Sequence, residues 1–420
     1  MNSEESLQRN ERIAKKTRER AASEVSKTLG LLRSRPDYSD GYEYFLKLAE
    51  EGASGEAVSE RVGRPILKLL CIQAPVELIH AAGFHPLKIW SGSASLGNFA
   101  AQGTPALMCP MLRAVLGALR SENDGSEGRW ILPTTCDWVV KFPEMASWFG
   151  PSFASRVHWL ELPHIKEGDD GQKRWLEEVF RLKKFLEGAA RNGKKIDRKS
   201  LIRSVELYQD AWRALNRLAV LRRDGKLASL WFMLIAGTFF LDSAESWIAA
   251  ADRVLGAPSP DRAGRARVFL AGSPIFFPNF KLPLLLEEAG LAVAGDDLCS
   301  SERILPGAVT YGDASEFGLM SALAQRYHMG CLCPTFIDND RRINNIRGRL
   351  NGDDFGGVVF HVLKGCHPYD IESCGLEGSL KEHGLKFIRL ETDYASEDSS
   401  NLLTRAEAFR NTMRSDGNDG

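Results

Sequence analysis

Apolar positions along the chain fall into short strand-length runs separated by longer segments of helical period, and this rhythm occurs twice. In the first half, runs at 66–72, 87–90 and 157–162, and the pair Ile131 and Leu132, read as strands bounded by Gly, Pro and Thr turns. In the second half, 267–274 (RVFLAGSP), 291–294, 358–363 and 385–390 read the same way, with helices at 282–289, 317–327 and from Tyr369 onward. Between the halves, residues 173–227 alternate apolar and charged faces and continue into the apolar run 228–241, which predicts a long helical bridge.

The pattern therefore predicts an α/β protein with two parallel-sheet domains and helical additions. Residues 1–64 form a charged helical N-terminal extension broken near Arg35, Pro36 and Asp37. Residues 65–195 form the first α/β domain, 196–262 the helical bridge, 263–413 the second α/β domain and 414–420 a tail frayed at 417–420. The stretch 258–264 separates the bridge from the second domain.

Composition narrows the class of function. A chain of 420 residues with a formal net charge of -1 can bury substantial cores and offers no general nucleic-acid surface. The basic run at 12–20 contains Glu19 and reads as a solvated amphipathic arm. The opening MNSEESLQRN lacks a signal pattern, so the expected location is cytoplasmic. The run at 228–241 is too short for a bilayer span and follows Arg222, Arg223 and Lys226, which predicts a buried helix and no membrane association.

The chemistry lies in eight cysteines spread through the chain, which in a reducing compartment favours buried thiols or metal ligation over a disulfide framework. Cys71 follows the first strand. Cys109 precedes Pro110 in ALMCPMLRAVLG, and Pro at a first helical position places this thiol at a helix N-terminus, where backbone N–H groups stabilise thiolate or cluster sulfur. Cys136, in RWILPTTCDWVVKF, repeats the arrangement, and Cys299 falls in the polar loop GDDLCSS. In MGCLCPTF an extended or turning segment brings Cys331 and Cys333 into one neighbourhood, where one could ligate while the other packs; Pro334, as beside Cys109, favours Cys333. Cys366, in GVVFHVLKGCHPYDIESC, sits where an apolar strand ends, although any single cysteine is as readily a small buried hydrophobe. His367 beside it is the candidate catalytic residue, as a donor to cluster sulfur or substrate, with a purely structural role as the alternative. Soft thiolates on distant loops suit iron–sulfur ligation better than a compact zinc knuckle, while the lack of a CxxCxxC run argues against a ferredoxin.

In order along the chain, CIQAPVELIHAAGFHPLKI, MCPMLRAVLG, TTCDWVVKF, LKGCHPYDIE and ETDYASEDSSNLLTRAEAF resemble the 2-hydroxyacyl-CoA dehydratase and benzoyl-CoA reductase family over roughly residues 65–413. The resemblance implies two flavodoxin-like domains, a homodimer or heterodimer, and an iron–sulfur cluster held mainly by Cys109, Cys136 and Cys366. It also implies electrons delivered by a separate ATP-hydrolysing iron–sulfur activator, in keeping with the absence of a GxxxxGKS/T motif here. The additional thiols Cys71, Cys299 and Cys333 are most similar to the double-cubane branch, which implies an 8Fe-9S cluster with three thiolates on each cubane and anaerobic reduction of a small-molecule substrate such as acetylene, azide or hydrazine. Cys331 and Cys374 are then spare, with Cys374 packed in its helix, although either could replace Cys299. The alternatives are a single 4Fe-4S cubane acting on a CoA thioester, and an electron carrier or scaffold without substrate.

Overall fold

The computed structural model describes residues 3–52, 54–122, 128–148, 153–190, 194–256, 265–337, 340–352, 354–382 and 384–415. The expected separator at 258–264 and the frayed tail at 417–420 lie outside them.

Three helices open the chain: α1 (Ser3–Arg33), α2 (Glu43–Glu51) and α3 (Gly55–Val62). The first α/β unit follows as β1 (Ile66–Leu69), α4 (Val76–Ala81), β2 (His85–Lys88), α5 (Ala94–Ala101), α6 (Pro110–Glu122), β3 (Arg129–Pro133), α7 (Asp137–Ser147) and β4 (Val157–Leu160). Four helices form the bridge, α8 (Asp169–Ala189), α9 (Arg198–Arg223), α10 (Ser229–Gly237) and α11 (Ala244–Leu255). The second unit is β5 (Ala266–Gly272), α12 (Lys281–Glu288), β6 (Leu291–Asp296), α13 (Glu316–Met329), α14 (Asp340–Gly352), β7 (Gly357–Leu363), α15 (His367–Lys381), β8 (Lys386–Thr392) and α16 (Ser399–Ser415).

The two sheets repeat one topology. Both are parallel and four-stranded, ordered β2-β1-β3-β4 and β6-β5-β7-β8. In such open sheets the crevice lies at the carboxyl ends of the strands flanking the point where the order reverses. Here those strands are β1 with β3, and β5 with β7. The loops after β1, β3 and β7 carry Cys71, Cys136 and Cys366. Strand β1 ends at Leu69, earlier than the apolar run to residue 72 predicts, so Cys71 lies beyond the sheet in the loop.

One core joins the additions to both sheets, running from Leu29 and Leu32 of α1 through Phe45, Trp231 and Trp247 to Val268 and Leu270 of β5. Tyr42 stacks on Trp231 with ring centroids 4.2 Å apart. The run at 228–241 is the buried element expected, resolved into α10 and a single tight turn at Phe239–Leu241. No helix among the described residues is long and apolar enough to cross a membrane.

The apolar pattern leaves two helices unpredicted. Helix α14 buries only Arg342, Ile346 and Leu350, a stripe one residue wide at four-residue spacing on an otherwise polar sequence. Helix α5 packs against α6, where a β-carbon on Gly117 would overlap the Leu96 carbonyl oxygen.

Candidate metal centre

Three cysteines occupy equivalent places. Cys109, Cys136 and Cys366 each stand immediately before a helix, α6, α7 and α15. At that position the first N–H groups have no intrahelical partner and turn toward the sulfur. They come from Leu112 and Met111 for Cys109, from Val139 and Trp138 for Cys136, and from Tyr369, with the Ser273 hydroxyl, for Cys366.

The interlocking of three loops makes these thiols neighbours. Gly365 adopts φ 78°, the left-handed region, and a β-carbon there would overlap the Leu107 carbonyl oxygen, two residues before Cys109. The Trp138 indole N–H donates to the Gly365 carbonyl at 3.1 Å. Burial, and then the charges of Cys109 and Cys136, push the Cys366 thiol well above its ordinary value; burial likewise moves Cys136 up to about 12. The N–H groups at Cys109 act in the lowering direction, but desolvation outweighs them and that thiol too is raised.

A second set lies beside the first. Burial raises Cys71, and the next largest contributions come from Cys333, Cys331 and Cys299. Cys331 is pushed by burial up to about 12, with Cys333 the next cause. Cys331, expected to be spare, is buried within this set, with Cys333 acting on it. Cys374, expected to pack within its helix, is exposed on α15 and stands apart. His367 is exposed at the first position of α15.

Cations, instead of helix ends, surround the second set. Arg303 acts on both Cys299 and Cys333, Lys88 on Cys299 and Lys166 on Cys331. Buried pairs fix the arginines: Arg303 meets Asp297 at 2.9 Å and donates to the Tyr369 hydroxyl at 3.2 Å, while Arg342 pairs with Asp297 and, at 2.8 Å, with Glu372. Lys166 donates to the Cys331 carbonyl and lies 3.9 Å from the centre of the Phe336 ring. The sequence reading missed all four cations. Only Lys88 left a signal, as the single charge inside the apolar HPLKIW.

Glu77 and His80, on α4 after the Cys71 loop, are structural. Buried Glu77 pairs with Arg326 and accepts from the Tyr327 hydroxyl at 2.9 Å. His80 meets the Ser204 hydroxyl at 2.9 Å, and burial lowers its pKa to about 3.

Among the described residues, no three His, Cys, Asp or Glu side chains converge tightly enough to hold a single metal ion. Seven buried or half-buried thiols nevertheless meet in two adjoining sets. Soft donors of this number suit a polynuclear iron–sulfur group, whose ligands bind different metal atoms and so stand apart from one another.

Repeated parallel sheets whose carboxyl ends converge on buried cysteines define a two-domain, thiol-centred α/β protein. The chain belongs to the 2-hydroxyglutaryl-CoA dehydratase, D-component family, whose model matches residues 71–413. It is 27% identical over 365 residues to the putative dehydratase subunit YjiM of Escherichia coli (strain K12), covering 83% of this chain and 91% of that protein. It is 23% identical over 380 residues to the (R)-phenyllactyl-CoA dehydratase beta subunit of Clostridium sporogenes, covering 84% and 93%. With a benzoyl-CoA reductase subunit of Thauera aromatica the identity is 21% over 362 residues, covering 84% and 91%.

Proposed function

We propose that this chain is the iron–sulfur reductase component of a low-potential system, carrying a double-cubane cluster and reducing a small molecule. The observation that supports this reading is the pairing of the two thiol sets. Cys109, Cys136 and Cys366 would hold one cubane; Cys71, Cys299 and Cys333 would hold the other, with Cys331 in the same set as a competing ligand. When bound, such a cluster supplies single electrons at low potential.

The chain's own residues divide the remaining work. Helix N–H groups offset negative charge at the first set, and Arg303, Arg342, Lys88 and Lys166 do so at the second. Burial of the thiols excludes water from both. His367, exposed beside Cys366, is proposed as a hydrogen-bond donor to cluster sulfur or substrate. An ATP-hydrolysing iron–sulfur activator is proposed as electron donor, a homodimer as the assembly and the cytoplasm as the location.

A second reading is favoured by the relatives, whose names include acyl-CoA dehydratase subunits. In it one cubane on Cys109, Cys136 and Cys366 serves a CoA thioester. Iron and sulfide analysis of anaerobically purified protein separates the two: about eight irons per chain supports the first, about four the second. Substrate reduction that requires both activator and ATP supports an enzyme; a cluster-bearing chain inactive with both is a carrier or scaffold.

A further inference from the structure

Lys88 ends β2 and is only 4% exposed, yet it makes no hydrogen bond or ion pair with any described residue. Its ammonium rests 4.3 Å from the centre of the Phe240 ring and 5.0 Å from that of Trp90. Ring faces replace only part of the lost hydration of a cation. Glu77, the carboxylate that acts on Lys88, is already committed to Arg326 and Tyr327. Burial accordingly lowers the Lys88 pKa to about 7.

The same lysine lines a cleft of about 450 Å³ bordered by α1, α5, α10 and the loop after β5. That volume equals about fifteen waters, more than a diatomic or triatomic molecule fills. The walls are largely apolar, including Trp90, Leu96, Met233 and Phe276. Of its charged lining Lys88 is the buried member; Arg18 is exposed, Lys68 half-buried, and Glu51 paired with Arg61. Trp130 also lines it, and the indole N–H of this residue is buried without an acceptor among the described residues. A buried cation and a buried donor therefore stand beside an apolar surface. At one side the lining reaches Ser300, next to Cys299, and Lys88 itself acts on Cys71 and Cys299.

We propose that this cleft binds an organic anion, its apolar body along the Trp90 and Phe276 wall and its anionic group on the Lys88 ammonium, at the edge of the second thiol set. Naming the ligand a substrate rests on the function proposed above; its binding does not. Lys88 is the specificity-determining residue, since among the described residues it supplies the only buried charge of the lining.

The test is calorimetric titration of the full chain with 4-methylpentanoate, its neutral isostere 4-methylpentanamide, and acetate, which carries the charge without the body. The expected result is binding of 4-methylpentanoate at least tenfold tighter than either comparison. Lys88→Met abolishes the preference for the carboxylate and Lys88→Arg retains it. Leu96→Trp, which fills the cleft away from Lys88, weakens all binding at least tenfold, so the proposal stays testable if Lys88→Met fails to fold. Absence of binding, equal binding of acid and amide, equal binding of acetate, or Leu96→Trp without effect overturns it. Iron analysis of the same sample reports separately on the cluster, so a chain without iron that still binds the anion defeats only the functional reading.

Discussion

The Thr335 hydroxyl donates to the Thr135 carbonyl at 2.6 Å, and this bond ties the loop of Cys333 in the second unit to the loop of Cys136 in the first. His164 reinforces the join, with one ring nitrogen 2.8 Å from the Thr335 carbonyl and the other 2.9 Å from that of Thr134. The two thiol sets are thus neighbours because the loops are stitched together. Thr335→Val keeps the shape and removes the donor, at a cost of about 1 kcal/mol. We expect faster alkylation of Cys136 and Cys333 in iron-free protein, followed by mass spectrometry, with Cys374 unchanged. Equal rates in both proteins would show that the bond does not fix the loops.

Replacing ligands one at a time distinguishes the sets. Cys109→Ser, Cys136→Ser and Cys366→Ser are each expected to lose most bound iron, whereas Cys374→Ser, on an exposed position of α15, keeps the wild-type content. On the double-cubane reading Cys71→Ser, Cys299→Ser and Cys333→Ser also lower iron, toward about four per chain. Wild-type iron in all three would leave the second set without a role in the cluster. Cys331→Ser resolves whether that thiol ligates or packs.

Much of the frame was legible in the chain. The two alternations of apolar run and helix gave both sheets, and Pro110 and the end of the 358–363 run placed Cys109 and Cys366 at helix starts. The second set was harder to read, because the membership of Cys331 rests on its burial beside Cys71, Cys299 and Cys333, which the spacing within MGCLCPTF leaves undecided. Arg303 and Arg342 were illegible for a related reason. Their importance comes from Asp297 and Glu372, partners up to 45 residues distant, and such charges look like ordinary surface residues until the fold buries them.

Gly365 tests the packing behind the first set. Its positive φ and its approach to Leu107 together exclude a side chain. Gly365→Ala is expected to lose about 2–3 kcal/mol in urea unfolding, from backbone strain and the displaced loop. Iron loss should accompany it, since the same displacement separates Cys366 from Cys109. Alanine tolerated with full iron would mean that the loop can move without consequence.

Glu77 and Arg326 couple α4 of the first unit to α13 of the second in a buried pair. Removing one partner strands the other charge, so Arg326→Met is expected to cost about 3–5 kcal/mol. The double variant Arg326→Met with Glu77→Leu should recover part of that loss. A double variant no better than the single would assign the cost to packing of the arginine stem. The readout is the urea midpoint at constant slope.

His361 governs the acid side of the stability profile. On wholly buried β7, one ring nitrogen lies 2.8 Å from the Ser273 carbonyl, so it must be the N–H, and the other accepts from the Thr392 hydroxyl at 2.7 Å. A neutral ring satisfies both bonds, and burial lowers its pKa from 6.5 to about 4. The unfolded chain therefore binds a proton near pH 6.5 that the folded chain refuses until about pH 4. Stability is full above pH 6.5 and falls through that window, by about 3 kcal/mol at most given ~1.4 kcal/mol per pKa unit. His80, held near pKa 3 by burial, adds a loss of the same sign. Urea midpoints measured from pH 7.5 to 4 should show this slope, and His361→Asn, which can still donate to Ser273, should flatten it without removing the share due to His80. The same slope in both proteins would mean that His361 does not govern this window. The added proton falls on the ring nitrogen that faces Thr392, so the bond to Ser273, whose hydroxyl donates to the Cys366 sulfur, is kept.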